Sequence, residues 1–175
     1  MILIALGANL PTARHGTPAE GLDAALAALA EGGIRPVAQS RWYRSAPIAP
    51  AEGPWFVNGV VRVESTLSAV PLMTRLLALE AAFGRKRGVA GADRPLDLDL
   101  LDYHGRVIRR EADDDGPALI LPHPRLAERA FVLAPLVEVA PEWRHPVSGA
   151  SAASLLAELA DEQALEPLPP APSDM

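Results

Sequence analysis

The sequence predicts an α+β sandwich, with helices packed on an antiparallel or mixed sheet. Three observations lead there. Two segments, 17–31 and about 71–83, carry apolar residues at helical spacing and stop at glycine. Stretches at 2–8, 35–44, 55–65 and 96–103 have the apolar runs or alternation of strands. The two kinds of element intermix without the strict alternation that would mark a parallel α/β sheet.

Residues 2–8 read as a buried first strand ending at Gly7. Thr17-Pro18-Ala19-Glu20 is a capping box with proline at the first helical position. The helix it opens aligns Leu22, Ala25, Leu26 and Leu29 on one stripe and is stopped by Gly32-Gly33. Residues 35–44 and 55–65 are expected as strands, joined by a loop from Ser45 to Pro54 that three prolines stiffen. The second amphipathic helix is expected from about Pro71 to Phe83, before Gly84. A basic loop, 85–95, leads into the strand at 96–103. Residues 105–121 read as a hairpin-like excursion, and Pro122-His123-Pro124 as a break before the apolar stretch Phe131 to Val139. A short helix is expected at 151–159. The expected organisation is one domain over 1–166, followed by a Pro-rich disordered tail at 167–175.

Composition excludes several classes of function. A chain of 175 residues, 49% apolar, is long enough to bury roughly 70% of its unfolded surface around one core. With no cysteine there is no disulfide, thiolate nucleophile or cysteine-held zinc. The four histidines are scattered and form no H-x-x-x-H pair. No apolar run approaches a membrane span, and the first residues lack a basic leader, so a cytoplasmic protein is expected. The net charge of −6 argues against sequence-tolerant nucleic-acid binding. The acidic run from Glu111 to Asp115 reads as a solvated loop. Lys86, the only lysine, lies between Arg85 and Arg87, so clustering rather than abundance makes the basic loop informative.

The segment Arg94-Pro95-Leu96-Asp97-Leu98-Asp99-Leu100-Leu101 carries the chemistry. On a strand, Asp97 and Asp99 project to one face while Leu96, Leu98 and Leu100 take the other. Mg²⁺ typically binds one or two carboxylates plus substrate phosphates, and arginine forks onto phosphate oxygens. A carboxylate pair with Arg85, Arg87 and Arg94 just upstream therefore reads as a phosphoryl-transfer site. The alternative is an amphipathic strand with one wet face. Leu101 favours the former, because it continues the carboxylate face with an apolar residue and implies partial enclosure. Taken alone, the arginines also fit a solvated helix end, His123 a structural turn, and Phe56 and Phe131 ordinary core packing.

Across nearly the whole chain the residues resemble the 6-hydroxymethyl-7,8-dihydropterin pyrophosphokinases of folate biosynthesis. The resemblance runs through Leu6-Gly7-Ala8-Asn9-Leu10, Ser40 to Tyr43 with Pro47, and Phe56-Val57-Asn58. It continues through Glu80, Gly84-Arg85-x-Arg87, Arg94-x-Leu96-Asp97-Leu98-Asp99, Pro122-His123-Pro124, Arg129-x-Phe131 and Pro135-Leu136-x-Glu138-x-Ala140-Pro141. It implies a ferredoxin-like fold with helices on both faces of a mainly antiparallel sheet. It further implies a monomer that uses ATP and two Mg²⁺ ions to transfer pyrophosphate to the pterin hydroxymethyl group, releasing AMP.

By the same resemblance Asp97 and Asp99 are the metal ligands. Arg85, Arg87, Arg94, His123 and Arg129 bind ATP, with Arg85 and Arg94 also catalytic. Ser45, Pro47, Ile48, Phe56, Asn58 and Phe131 form the pterin site, the two phenylalanines sandwiching the ring. The chain departs from the family's usual pattern at Ala92-Asp93-Arg94-Pro95, where Gly-Pro-Arg-Thr is common. Its 88–92 loop also lacks the tryptophan that some members use to cover the pterin. That Gly-rich loop is expected to close over bound substrates.

Overall fold

Ile2, Ile4 and Leu6 of β1 (Ile2–Ala8) pack to one side and Leu3 to the other, all almost fully buried. A strand that is apolar on both faces belongs at the centre of a sheet with a layer on each side. The computed structural model, which describes residues 1–47, 53–85, 94–159 and 163–169, places β1 there. On one face lie α1 (Pro18–Glu31), with its capping box formed as expected, and α2 (Ala69–Ala82). On the other lie α3 (Ala130–Val139) and α4 (Ala152–Leu159).

The sheet also contains β2 (Arg35–Gln39), β3 (Tyr43–Ser45), β4 (Phe56–Glu64), β5 (Asp97–Tyr103) and β8 (Leu165–Pro167). Its order is β5-β1-β4-β3-β8, with β2 on the far half of β4, and the pairings are antiparallel. This is the ferredoxin-like arrangement the resemblance implies. The expected excursion is a separate ribbon of β6 (Ile108–Arg110) and β7 (Leu119–Leu121).

Two expectations change, and one stretch left unassigned takes a definite form. The segment 35–44 is not one strand: β2 and β3 pair with different parts of β4 across a break at 40–42. Ser40 makes the break, since its hydroxyl accepts from Val60 N and donates to the Arg41 carbonyl. Trp42 then lies over Gly59, where a Cβ would fall 2.5 Å from the indole. The apolar stretch 131–139 is a helix, and Pro135 sits inside it. The tail does not begin at Pro167. Leu165–Pro167 pairs with β3, Leu168 N donates to Trp42 O at 2.8 Å, and the Leu168 side chain packs on the core.

A bulge between β1 and β5 matters for the site. Leu3 faces Asp102 and Ile4 faces Leu100, leaving Leu101 as the extra residue. Leu101 is buried beneath α3, as the apolar continuation of the Asp97–Asp99 face implied. Its carbonyl, released from the ladder, accepts His123 N at 2.9 Å and fixes the turn that carries this histidine. Asp102, on the same side, accepts from Trp143 Nε1 at 3.0 Å and from Gly105 N at 2.7 Å.

Candidate active site

Asp97, Gly7, Asn58 and Tyr43 face one another in turn across β5, β1, β4 and β3. Register partners share a sheet face, so a carboxylate and an amide stand two strand spacings apart, about 10 Å. Between them Gly7 supplies no side chain. A Cβ there would approach Asn58 Oδ1 to 2.8 Å.

At the β5 end the carboxylates are ringed by cations. Asp97 accepts from Arg85 on one oxygen and from Arg94 on the other. The same Arg85 nitrogen also donates to Glu80, a buried carboxylate on α2 that accepts Leu98 N at 2.7 Å. Glu80 thus ties the end of α2 to the start of β5 and brings Arg85 onto Asp97. Asn9 does the same for Arg94: Arg94 N donates to Asn9 Oδ1 at 2.7 Å, and Asn9 N donates back to Arg94 O at 3.0 Å.

Asp99 faces Arg129 Nη1 at 3.3 Å and His123 Nε2 at 3.8 Å. Burial holds the His123 ring below its ordinary value of 6.5, and nearby Arg129 adds to that against the opposing pull of Asp99. The ring is therefore neutral at neutral pH. Burial also lowers Arg129. Its Nε is buried without a hydrogen-bond partner, a costly state in a closed protein and a natural one where an anion is to bind.

At the β3–β4 end, Asn58 Nδ2 donates to Ser45 Oγ at 2.8 Å, both side chains buried. Phe56 pairs with Ser45 in the strand register and stays half-buried, as does Pro47. Phe131, in the first turn of α3, is half-buried with Arg129 stacked over its ring, 5.6 Å from the centroid. Tyr43 continues the row, and its hydroxyl donates to Glu138 on α3. Arg41 adds bonds to Glu138 from its backbone N at 2.9 Å and Nη2 at 2.7 Å.

The structure thus gathers Asp97, Asp99, Arg85, Arg94, His123 and Arg129 at one end, with Ser45, Asn58 and Phe56 along the same face. Ile48, Arg87 and the 88–92 loop with Asp93 lie outside the described residues. Two features were not legible in the chain. One is the Arg41–Tyr43–Glu138 network, whose members lie in two separate motifs with nothing in either to show that they meet. The other is Gln163, whose side chain bonds to Ala130 N, 33 residues away in the chain, and to Glu128 O, on the two sides of Arg129. No local pattern marks either, because the partners meet only in the fold.

A family model for 7,8-dihydro-6-hydroxymethylpterin-pyrophosphokinase (HPPK) matches residues 3–141. The chain belongs to the HPPK family. A Synechocystis 2-amino-4-hydroxy-6-hydroxymethyldihydropteridine pyrophosphokinase is 37% identical over 169 residues, covering 96% of this chain and 80% of that protein. The Pseudomonas aeruginosa enzyme of the same name is 39% identical over 148 residues, 83% of each chain. Among solved structures, a Plasmodium falciparum HPPK-DHPS triple mutant superposes with a TM-score of 0.67 at 14% identity, over 90% of this chain and 41% of that one. That last likeness bears on the fold alone. HPPK is a pyrophosphokinase of folate biosynthesis, with ATP and a pterin as substrates, and this chain has that activity. No helix among the described residues is long and apolar enough to cross a membrane.

Proposed function

We propose that the β5 end of this face binds the ATP polyphosphate through Mg²⁺ and that the β3–β4 end binds the pterin. The single observation carrying this reading is the row from Asp97 through Gly7 to Asn58. It sets a cation-ringed carboxylate pair and a buried amide on one sheet face, about 10 Å apart.

The donor set fits magnesium. Among the described residues no cluster of three or more acidic or histidine side chains forms a complete protein cage. Two half-buried carboxylates with neighbouring arginines suit an ion that takes its remaining oxygens from substrate phosphates and water. Asp97 and Asp99 would hold two such ions, which neutralise phosphate charge and lower the pKa of the attacking hydroxyl. Two divalent cations and a fully ionised triphosphate cancel in charge. Their arrival therefore leaves the local balance of Arg85, Arg94 and Arg129 against Glu80, Asp97 and Asp99 undisturbed.

The chain's own residues position and stabilise. Arg85 and Arg94, now on Asp97, turn their free donors to phosphate oxygens, joined by Arg87. Arg129 offers its unpartnered Nε, and neutral His123 a ring N–H. Asn58 reads the hydrogen-bonding edge of the pterin, with Ser45 holding its amide in orientation. Phe56 and Phe131 enclose the ring, and Pro47 and Ile48 complete the wall. With the two substrates so held, the hydroxymethyl oxygen gives up its proton to solvent and bonds to the β-phosphorus in line. The bond from that phosphorus to the α–β bridging oxygen breaks, and AMP leaves. The proposed enzyme is a monomer, as the family resemblance implies. A cytoplasmic enzyme meets ATP at working concentration.

The test is the nucleotide product with Mg-ATP and 6-hydroxymethyl-7,8-dihydropterin. AMP is expected only when the pterin is present, with a loss of about 10³-fold or more in Asp97→Ala. ADP as the product, or undiminished AMP from a folded Asp97→Ala, overturns the scheme.

A further inference from the structure

α3 begins at Ala130 with Arg129 as its N-cap, and no side chain of its own first turn or cap satisfies the exposed N–H groups there. A helix start left in that state costs stability and leaves the first turn loose. The missing partner comes from the C-terminal segment. Gln163 Oε1 accepts Ala130 N at 2.9 Å, and Gln163 Nε2 donates to Glu128 O at 2.8 Å. One side-chain amide thereby pairs with the peptide groups on both sides of Arg129, as a neighbouring β-strand would.

Gln163 is itself anchored. Two residues on, β8 begins at Leu165, opposite Ser45, and Leu168 N reaches Trp42 O at 2.8 Å. The clip is thus tied to the strand carrying Ser45, while it grips the backbone carrying Arg129 and Phe131. The Arg129 carbonyl accepts Val132 N and Leu133 N at 3.0 Å, and among the described residues its side chain meets Asp99 at 3.3 Å and the Phe131 ring. Both are groups that bound substrate and metal would engage. Gln163 instead holds the backbone on either side of Arg129.

We propose that Gln163 is a positioning residue for the transfer reaction: it fixes the Glu128–Ala130 backbone and so aims Arg129 at the nucleotide phosphates and Phe131 at the pterin. This inference rests on the reading of Arg129 and Phe131 given above. Gln163 touches neither substrate, so its effect on the reaction passes through those two residues. A displacement of the order of an ångström in a positioning group lowers rate substantially. Gln163→Ala is therefore expected to lower kcat/KM for ATP by about 5- to 50-fold. Gln163→Glu, which keeps the acceptor for Ala130 N and loses the donor to Glu128 O, is expected to fall between.

The deciding measurement is a double-mutant cycle in steady-state kinetics on Gln163→Ala, Arg129→Ala and the pair, with thermal midpoints in parallel. If Gln163 acts through Arg129, its substitution in the Arg129→Ala background costs little further kcat/KM, whereas the thermal effect remains. Kinetic losses that multiply in full would mean a merely structural role and overturn the proposal. So would wild-type kcat/KM in a folded Gln163→Ala. Wild-type kcat/KM in Arg129→Ala would instead overturn the assignment of Arg129, and the positioning role with it.

Discussion

Gly7 shows how one residue type can serve a site by what it omits. It stands between Asp97 and Asn58 in the strand register, and a methyl group there meets the Asn58 amide oxygen at 2.8 Å. That contact is closer than real Cβ atoms tolerate, so the Asn58 side chain must yield and its bond to Ser45 must lengthen. Gly7→Ala is expected to raise KM for the pterin by about tenfold while leaving KM for ATP near its original value, because a lost buried hydrogen bond is worth about 1 kcal/mol or somewhat more. Steady-state KM values for the two substrates check this, and an equal rise for both would show a general disturbance of the sheet. Such roles are invisible in a list of chemically active side chains. The motif Leu6-Gly7-Ala8-Asn9-Leu10 flagged the glycine, yet only the strand register shows what it faces.

At the scale of elements, the question is how α3 is held against the sheet so that both ends of the site keep their spacing. Near its C-terminal end, Glu138 accepts from Tyr43 on β3 and from Arg41 beside it. Burial pushes the Glu138 carboxyl up, but the hydrogen bonds from Arg41 and Tyr43 outweigh it and leave the group below its ordinary 4.5. The sign follows from linkage. In the native state Glu138 takes up a proton less readily than in the unfolded chain, so its contribution is complete above 4.5 and is lost as pH falls through the folded value. Glu138→Gln is expected to destabilise by about 1–2 kcal/mol at neutral pH, as for hydrogen bonds to a charged group that is partly solvated. The gap from wild type should close as the medium is acidified well below the carboxylate range. Urea midpoints at the two extremes test it, and a gap independent of pH would assign the loss to shape rather than charge.

For the whole molecule, the domain does not end where the chain turns Pro-rich. Residues 163–168 add a strand at the edge of the sheet, a core leucine and the Gln163 clip. Ending the chain at residue 162 is expected to lower the thermal midpoint by several degrees, since about 1–2 kcal/mol corresponds to about 2–8 °C in a protein of this size. The same truncation should lower pyrophosphoryl transfer more than Gln163→Ala does, because Ser45 loses its β8 neighbour as well. Differential scanning calorimetry beside the AMP assay reads both quantities. Unchanged midpoint and rate would return the segment to the status of a passive tail.

The sequence by itself determined the α+β class, the two amphipathic helices with the capping box of the first, the first strand and the Asp97–Asp99 face. Each of these rests on interactions within a few residues: periodicity, a capping box, alternation along a strand. It also contained the family's ordered motifs, which name most of the residues of the proposed site. Tertiary structure decided the break between β2 and β3, the helical state of 130–139 and the β8 pairing. It also decided the partners of Arg129, Tyr43 and Glu80. Those depend on contacts between residues far apart in the chain, such as Trp42 over Gly59 or Gln163 across Arg129. Local sequence carries the propensity of each partner but not the distance between them, and the distance is what makes the contact.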